Sequence, residues 1–310
     1  MKWGHFLPGT ERIKEKKYND TNAGFTIIEL SVVLVVGAVI MVAAGLMFQD
    51  YLLMLRSAYT QFRMTAIDNS IQTFFQNNGY YPCPSSLTAA PNTANFGASP
   101  GSPCGGAGTF TLAGAGNSND NVFLGAVPVR TLNLSNDYEA DAWNNKIVYA
   151  VTAKMTSLTT FNPAAGSIDI IDSIGNSVLS FVGKGEYVLI SAGRDGVGAY
   201  SLEGGQGKPC ATATLEGMNC AWTQPAILPS VNAARFRKTT ITGENVGNKT
   251  YDDYVLFRTS PNQGVVPPGT IMIYNGNCSS LTSGWASLGS GGGATGLTSI
   301  TPPLNYCEKN

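Results

Sequence analysis

Hydrophobic and polar positions divide the chain into a helical N-terminal part and a later part of short strands. A polar segment over residues 1–24 precedes an apolar run, and no charged side chain occurs from Leu30 to Gln49. At about 1.5 Å per residue, a helix of this length matches the ~30 Å hydrocarbon layer of a bilayer. The pattern therefore predicts a helix that crosses a membrane over residues 25–48.

Helical periodicity continues beyond this span. Apolar residues recur every three to four positions at Leu55, Tyr59, Phe62, Ala66, Ile67, Ile71, Phe74 and Phe75. The opposite side carries polar residues, namely Arg56, Gln61, Arg63, Asp68 and Asn69. Gly79 can adopt the left-handed conformation that ends helices. We predict one helix over residues 25–78, transmembrane first and amphipathic afterwards.

The remaining residues, 79–310, predict a β-rich globular domain. Residues 79–121 are rich in Gly, Pro, Ser, Ala and Asn and predict an irregular excursion. Strands are predicted where β-branched and aromatic residues concentrate, at 146–152, 168–172, 187–192, 254–259 and 270–274. From about residue 265 the chain becomes loop-rich. The predicted fold class is α+β, with the long helix packed on an antiparallel sheet.

Charge sets the expected orientation of the span. The leader holds five basic residues, Lys2, Arg12, Lys14, Lys16 and Lys17, and three acidic ones, Glu11, Glu15 and Asp20. The first charge after the apolar run is Asp50. Because basic flanks remain in the cytoplasm, we expect a cytoplasmic N-terminus and an exported C-terminal domain.

Composition narrows the function. Charged residues make up 13% of the chain, the formal net charge is −1, and no basic run occurs outside the first 17 residues. We therefore expect no nucleic-acid partner. The single histidine, His5, lies in the leader, and no G-x-S-x-G, P-loop or H-E-x-x-H motif is present. Asp137, Glu139 and Asp141 are expected to be solvated loop acids, so no enzyme is predicted.

Glu29 is unusual because it lies inside the apolar run. A carboxylate in hydrocarbon has a high free-energy cost, so an acidic residue at such a position is by default a candidate functional residue. An ordinary signal peptide, cleaved after Ala44, is the alternative interpretation. It would release a secreted surface- or carbohydrate-binding module. Under either interpretation, residues 270–285, with Tyr274, Trp285 and Cys278, could form an aromatic binding patch. That alternative gives Glu29 no role.

The sequence GFTIIEL at residues 24–30, followed by an uncharged apolar helix, resembles the type IV prepilin and pseudopilin superfamily. The resemblance implies cleavage between Gly24 and Phe25 by a prepilin peptidase, and N-methylation of Phe25. It also implies that Glu29 pairs with the amine of a neighbouring subunit in a filament. The chain is longer than a usual major pilin, which leaves its exact subunit role open.

The same resemblance implies a structural subunit of a type IV pilus or a type II secretion pseudopilus. Its partners would be other pilin or pseudopilin subunits, the peptidase and an inner-membrane assembly platform. It would cross the bacterial inner membrane once and later form part of a periplasmic or extracellular filament.

The six cysteines are Cys83, Cys104, Cys210, Cys220, Cys278 and Cys307. Without a C-x-x-C motif or an accompanying histidine, zinc binding is not indicated. An exported domain favours disulfides, although free buried thiols are an alternative. Pairing of sequence neighbours, 83 with 104, 210 with 220 and 278 with 307, would each close a loop rich in Gly, Ser or Pro.

Calcium is the one cofactor that the resemblance suggests, since some pseudopilins hold Ca²⁺ through loop oxygens. Asp195, Asp252 and Asp253 are the candidate ligands. The simpler interpretation, which we favour, is that Asp195 caps a turn while Asp252 and Asp253 face water. No metal site is therefore predicted outright.

Overall fold

The computed structural model describes residues 26–115, 120–162, 165–179, 184–210, 214–223, 234–241 and 251–259, and the backbone of three later strands. Gly24, Phe25, Cys278 and the side chains of Tyr274, Trp285 and Cys307 lie outside the described residues, so the predictions that concern them stay predictions. The chain divides into two units, Met1–Leu52 and Leu53–Asn310.

The first helix, α1, comprises Ile27–Asn78. It confirms the predicted long helix, and Gly79 ends it with φ of 75° while its N–H donates to the Phe75 carbonyl at 2.7 Å. By length and composition the helix is apolar enough to cross a membrane. Apolar side chains of its first part, such as Val35 and Ile40, are exposed in the isolated chain.

The later elements are strands and short helices: β1 (Phe110–Ala113), β2 (Asn121–Ala126), β3 (Val148–Thr152), β4 (Asp169–Ile171), β5 (Gly185–Ser191), α2 (Gly217–Cys220), β6 (Arg235–Arg237), β7 (Tyr254–Thr259), β8 (Ile271–Tyr274), β9 (Trp285–Ser290) and β10 (Asn305–Lys309). Within the described residues, five strands form one antiparallel sheet in the order β1-β2-β3-β5-β7. The α+β prediction with an antiparallel sheet is confirmed.

The structure differs from the strand predictions in two respects. The prediction of an irregular region over 79–121 is wrong, since this region contains β1, which pairs with β2. The strand predicted at 168–172 is present as β4, but it pairs in parallel with β6 in a separate two-stranded sheet. Backbone of the later part forms a third sheet, in the order β8-β10-β9.

Both faces of the main sheet are buried, since alternate residues of β3 and β5 point to opposite sides. Tyr149 and Tyr187 belong to a core shared with α1, whereas Ala150 and Val188 belong to a second core with Trp222. Residues of β3 and β5 are buried without exception. This two-sided burial explains why these strands are nearly continuous apolar runs.

The side of α1 that packs on the sheet differs from the predicted apolar stripe. Ile67 and Ile71 are fully buried as expected, but Tyr59 and Phe62 are 50% and 60% exposed. Asp68, assigned from the sequence to the polar side, is only 3% exposed. The stripe was predicted from spacing alone, and spacing does not show that a polar residue has buried partners.

Asp68 attaches α1 to the sheet. Its carboxylate accepts hydrogen bonds from the Tyr187 hydroxyl at 2.6 Å and from Arg258 Nε at 3.0 Å. Gln72, one turn later, donates to the Tyr187 hydroxyl at 2.7 Å. These contacts satisfy a carboxylate that burial would otherwise destabilise. They join the helix to β5 and β7 across a long sequence separation.

A second buried charge pair lies before β3. Lys146 Nζ is 2.7 Å from Glu139 Oε1, both side chains are fully buried, and the ammonium also donates to the Ala89 carbonyl at 2.6 Å. Burial raises the pKa of Glu139 to about 7, although Lys146 acts in the opposite direction. Glu139 and Asp141, expected to be solvated, are buried because Lys146 and the turn before β3 supply them with donors. Asp137 is exposed as expected.

Two disulfides, Cys83–Cys104 and Cys210–Cys220, occur within the described residues. They are the pairs that the choice of sequence neighbours predicts. The third predicted pair, Cys278 with Cys307, lies outside the described side chains.

Replacing Asp68 tests the attachment of α1. Asp68→Ala leaves the Tyr187 hydroxyl and the Arg258 guanidinium without their acceptor, and Arg258, at 48% exposure, can partly rehydrate. We expect the free energy of unfolding to fall by about 2 kcal/mol. The free energy of unfolding is measured by urea denaturation of the full chain in detergent, with tryptophan fluorescence as the probe. Asp137→Ala, at an exposed position, should change stability by less than about 0.5 kcal/mol. An equal loss in both variants would contradict the assignment.

Candidate functional site

The start of α1 is built around Thr26 and Glu29. The Glu29 backbone N–H donates to Thr26 Oγ1 at 3.2 Å, while Glu29 Oε2 accepts from the Thr26 N–H at 3.0 Å and from its hydroxyl at 3.1 Å. This reciprocal arrangement is a capping box, which satisfies donors that the first turn of a helix leaves unpaired. The helix dipole adds a favourable field for the carboxylate at this end.

The capping box uses only one oxygen of Glu29. In the part of the chain that the structure describes, no donor is recorded for Oε1, and the side chain is exposed. The carboxylate is therefore fixed in direction by its own helix and still has an acceptor oxygen available. Such a group can bind one further cation or N–H donor.

Sequence reasoning identified Glu29 but missed Thr26. The signal was present, because a Thr followed three residues later by Glu, ahead of an apolar run, is the sequence pattern of a capping box. Gly24 and Phe25 immediately precede this pair and lie outside the described residues. Their roles in processing remain predictions.

A second candidate site is an acidic cluster formed by Asp195, Glu216 and Asp252. Each contributes one carboxylate oxygen, and these oxygens lie within 4.8 Å of one another. Asp195 lies in the turn after β5, Glu216 immediately precedes α2, and Asp252 precedes β7. Three loops that are far apart in sequence therefore meet here.

Backbone N–H groups hold the cluster in place. Asp252 Oδ2 accepts from the N–H groups of Arg194 and Asp195 at 2.8 and 3.0 Å, and Glu216 Oε1 accepts from the Asp252 N–H at 2.7 Å. Gly193 permits this approach, since it has φ of 59° and an added Cβ would lie 2.3 Å from the Asp252 carbonyl oxygen. Asp252 Oδ1 is enclosed and has no hydrogen-bond partner among the described residues.

Burial and mutual repulsion make the cluster unfavourable for negative charge. Burial, followed by the charge of Asp253, raises the pKa of Glu216 to about 9. Burial and then Asp195 also raise the pKa of Asp252. Oxygen ligands at this spacing suit a hard cation such as Ca²⁺, whose positive charge would offset the repulsion.

The cluster only partly matches the sequence-predicted calcium ligands. Asp195 and Asp252 are brought together, and Asp195 also caps its turn as expected, since its Oδ1 accepts from the Val197 N–H at 2.9 Å. Asp253 is buried and its Oδ2 accepts from Asn219 at 2.7 Å, so it neither faces water nor joins the three ligand oxygens. Glu216 was missed because no motif links it to the other two.

Comparison with known proteins identifies the N-terminal part. The family model of the prokaryotic N-terminal methylation motif matches residues 19–45, a range that includes Gly24, Phe25 and Glu29. No curated protein and no solved structure matches the chain. The motif indicates a structural protein rather than an enzyme. This motif, the apolar helix that follows it and the α+β fold are consistent with a type IV prepilin-like protein.

Proposed function

We propose that the chain is a structural subunit of a type IV pilus or a type II secretion pseudopilus, assembled through α1. The observation that carries this proposal is the methylation motif at residues 19–45, which continues directly into a helix long and apolar enough to cross a membrane. The glutamate of the motif lies in the first turn of that helix.

Processing is the first step. A prepilin peptidase would cut between Gly24 and Phe25 on the cytoplasmic side and the Phe25 amine would then be methylated. The subunit stays in the inner membrane, with its C-terminal residues outside the cytoplasm, until the assembly platform extracts it. The positive leader and the charge-free span support this topology.

Assembly then depends on Glu29. Its Oε2 is bound by Thr26 of the same helix, which leaves Oε1 for the Phe25 amine of a neighbouring subunit. A charge pair in a medium of low dielectric is far stronger than one in water, and loss of one partner leaves a costly unpaired charge. The pair therefore favours one register between neighbouring helices.

Calcium at the acidic cluster is a separate proposal. We infer that Ca²⁺ binds between Asp195, Glu216 and Asp252, because their oxygens converge and because the enclosed Asp252 Oδ1 has no donor among the described residues. A cation there would join the turn after β5, the segment before α2 and the segment before β7.

The mature N-terminus is the direct test of the proposed function. We expect the protein from membranes or sheared filaments to begin at an N-methylated Phe25, measured by intact mass and N-terminal peptide sequencing. Blocking the peptidase should leave Met1 in place. A start at Gly45 would contradict the proposal and favour a secreted module released after Ala44.

Glu29→Ala separates assembly from processing. We expect normal cleavage and membrane insertion, but at least a tenfold lower amount of the subunit in sheared filaments, because the neighbouring amine loses its partner at a cost of about 3 kcal/mol or more. Thr26→Val should cause a smaller defect of about fivefold, consistent with about 1 kcal/mol for a lost cap, and Thr26→Ser should behave like the native chain.

Ser31→Ala is the matched control for these variants, since Ser31 only donates to the Ile28 carbonyl within the same stretch of helix. It should assemble normally. Unimpaired incorporation of Glu29→Ala would rule out the assembly role of this carboxylate.

Asp195→Asn tests the calcium proposal. The change keeps the acceptor for the Val197 N–H and removes one negative charge from the cluster. In the presence of a chelator, the reduced repulsion should stabilise the variant relative to the native chain. Each kcal/mol of added stability should raise its Tm by about 2–4 °C. Calcium should raise the Tm of the native chain and have a weaker effect on the variant.

Asp172→Asn serves as the control, because Asp172 similarly caps its own turn by accepting from the N–H groups of Ile174 and Asn176. Its response to calcium should equal that of the native chain. Identical melting of the native chain in chelator and in calcium would refute calcium binding at the cluster.

A further inference from the structure

The Cys210–Cys220 disulfide closes the segment that carries Glu216, one of the three acids of the cluster. Its two half-cystines are ten positions apart in the sequence. Glu216 immediately precedes α2, and Cys220 is the last residue of this single helical turn. The disulfide is therefore attached within one turn of the Glu216 backbone and restricts where that carboxylate can lie.

The same disulfide contacts the turn that carries Asp195. A Cβ added at Gly198 would overlap the Cβ of Cys220 and would lie 3.5 Å from that of Cys210, so both half-cystines pack directly on this glycine. The Gly198 N–H donates to the Lys208 carbonyl at 3.0 Å, which joins the turn to the residues just before Cys210. The disulfide thus holds two of the three acid-bearing segments together.

The helix α2 has a second attachment that does not depend on the disulfide. The Asn219 side chain donates to the Asp253 carboxylate at 2.7 Å and accepts from the Arg237 N–H at 2.7 Å. Trp222 Nε1 donates to the Asn219 carbonyl at 2.7 Å. Because these contacts remain when the disulfide opens, we expect α2 to stay on β6 while Glu216 gains conformational freedom.

Repulsion within the cluster opposes closure of this segment. The closed arrangement keeps an oxygen of Glu216 within 4.8 Å of oxygens of Asp195 and Asp252. Carboxylates that share one site raise each other's free energy, and a hard cation bound between them removes that cost. Formation of the disulfide and binding of a cation therefore favour the same arrangement of the three acids.

We propose that the Cys210–Cys220 disulfide and calcium binding at the acidic cluster are coupled through Glu216. The inference rests on the calcium proposal made above. In the oxidised chain Glu216 is already held beside the other two acids, so less conformational entropy is lost when the cation binds. In the reduced chain Glu216 must first be ordered, which lowers the affinity for calcium. Because linkage is reciprocal, bound calcium makes the disulfide harder to reduce by the same factor.

The test is the thiol–disulfide equilibrium of the full chain in detergent, in mixtures of reduced and oxidised dithiothreitol. Two hydrogens with their electrons pass from the dithiol to the S–S bond, so both cysteines become thiols and dithiothreitol closes to its cyclic disulfide. Alkylation, proteolysis and mass spectrometry give the reduced fraction of each cysteine pair. We expect saturating calcium, compared with chelator, to make Cys210–Cys220 about tenfold harder to reduce, which corresponds to about 30 mV.

The Cys83–Cys104 disulfide is the control within the same chain, since the segment that it closes contains none of the three acids. Its equilibrium should not respond to calcium. An equal shift of both disulfides would indicate general stabilisation of the folded chain and overturns the coupling.

Glu216→Gln tests whether this residue carries the coupling. The amide keeps an acceptor oxygen for the Asp252 N–H and has no charge to be held beside the other acids. In chelator, Cys210–Cys220 of this variant should be about fivefold harder to reduce than in the native chain, and calcium should no longer shift its equilibrium. Glu203→Gln, the same change at an exposed position, should behave like the native chain. A calcium shift that persists in Glu216→Gln overturns the proposal.

The native chain alone separates this inference from the calcium proposal, even where the variant fails to fold. Calcium that raises Tm without shifting the Cys210–Cys220 equilibrium overturns the coupling and leaves calcium binding in place. Calcium that changes neither quantity overturns both. These measurements involve neither processing nor filament assembly, so their outcome is independent of the proposed subunit role.

Discussion

Carboxylates that leave bulk water need donors, and much of this structure follows from how that need is met. Asp68 accepts hydrogen bonds from Tyr187 and Arg258, and these attach α1 to the main sheet. Glu139 forms an ion pair with Lys146, whose ammonium also donates to the Ala89 carbonyl. Each acid is joined to a partner from another element, so the donors that offset desolvation also set the tertiary contacts.

The acidic cluster and Glu29 meet the same need incompletely. Asp252 has one oxygen bound to backbone N–H groups and one enclosed oxygen without a partner in the described part of the chain. Glu29 has one oxygen in the capping box and one for which no donor is recorded among the described residues. Asp68 and Asp141 have both carboxylate oxygens bound by donors, and Glu139 pairs with Lys146 through Oε1. An unused oxygen alone does not distinguish the candidate sites from the core, because Glu139 Oε2 is also buried without a hydrogen-bond partner among the described residues.

Much of the fold could be predicted from the sequence where one local signal was sufficient. The charge-free run and Gly79 defined α1 closely, and β-branched segments located β3, β5 and β7. Short elements were missed, because β1 and β6 are too brief to show a period. The acidic cluster was predicted only in part, since Glu216 is brought to Asp252 by the tertiary fold and no local pattern encodes that approach.

The charges along α1 carry information that hydrophobic periodicity does not. Periodicity assigned Tyr59 and Phe62 to the apolar stripe and Asp68 to the polar side, but the two aromatic side chains are at least half exposed and Asp68 is buried. The environment of a polar side chain on α1 depends on the hydrogen-bonding groups that neighbouring elements present at that position along the helix. Asp68 lies where tyrosine and arginine side chains of the sheet supply donors, whereas Arg63 lies where a turn supplies carbonyls. A buried charge requires specific hydrogen-bond or ion-pair partners, whereas an apolar side chain requires only the exclusion of water. The charged positions of a long helix therefore indicate which elements pack against it more specifically than its apolar stripe does.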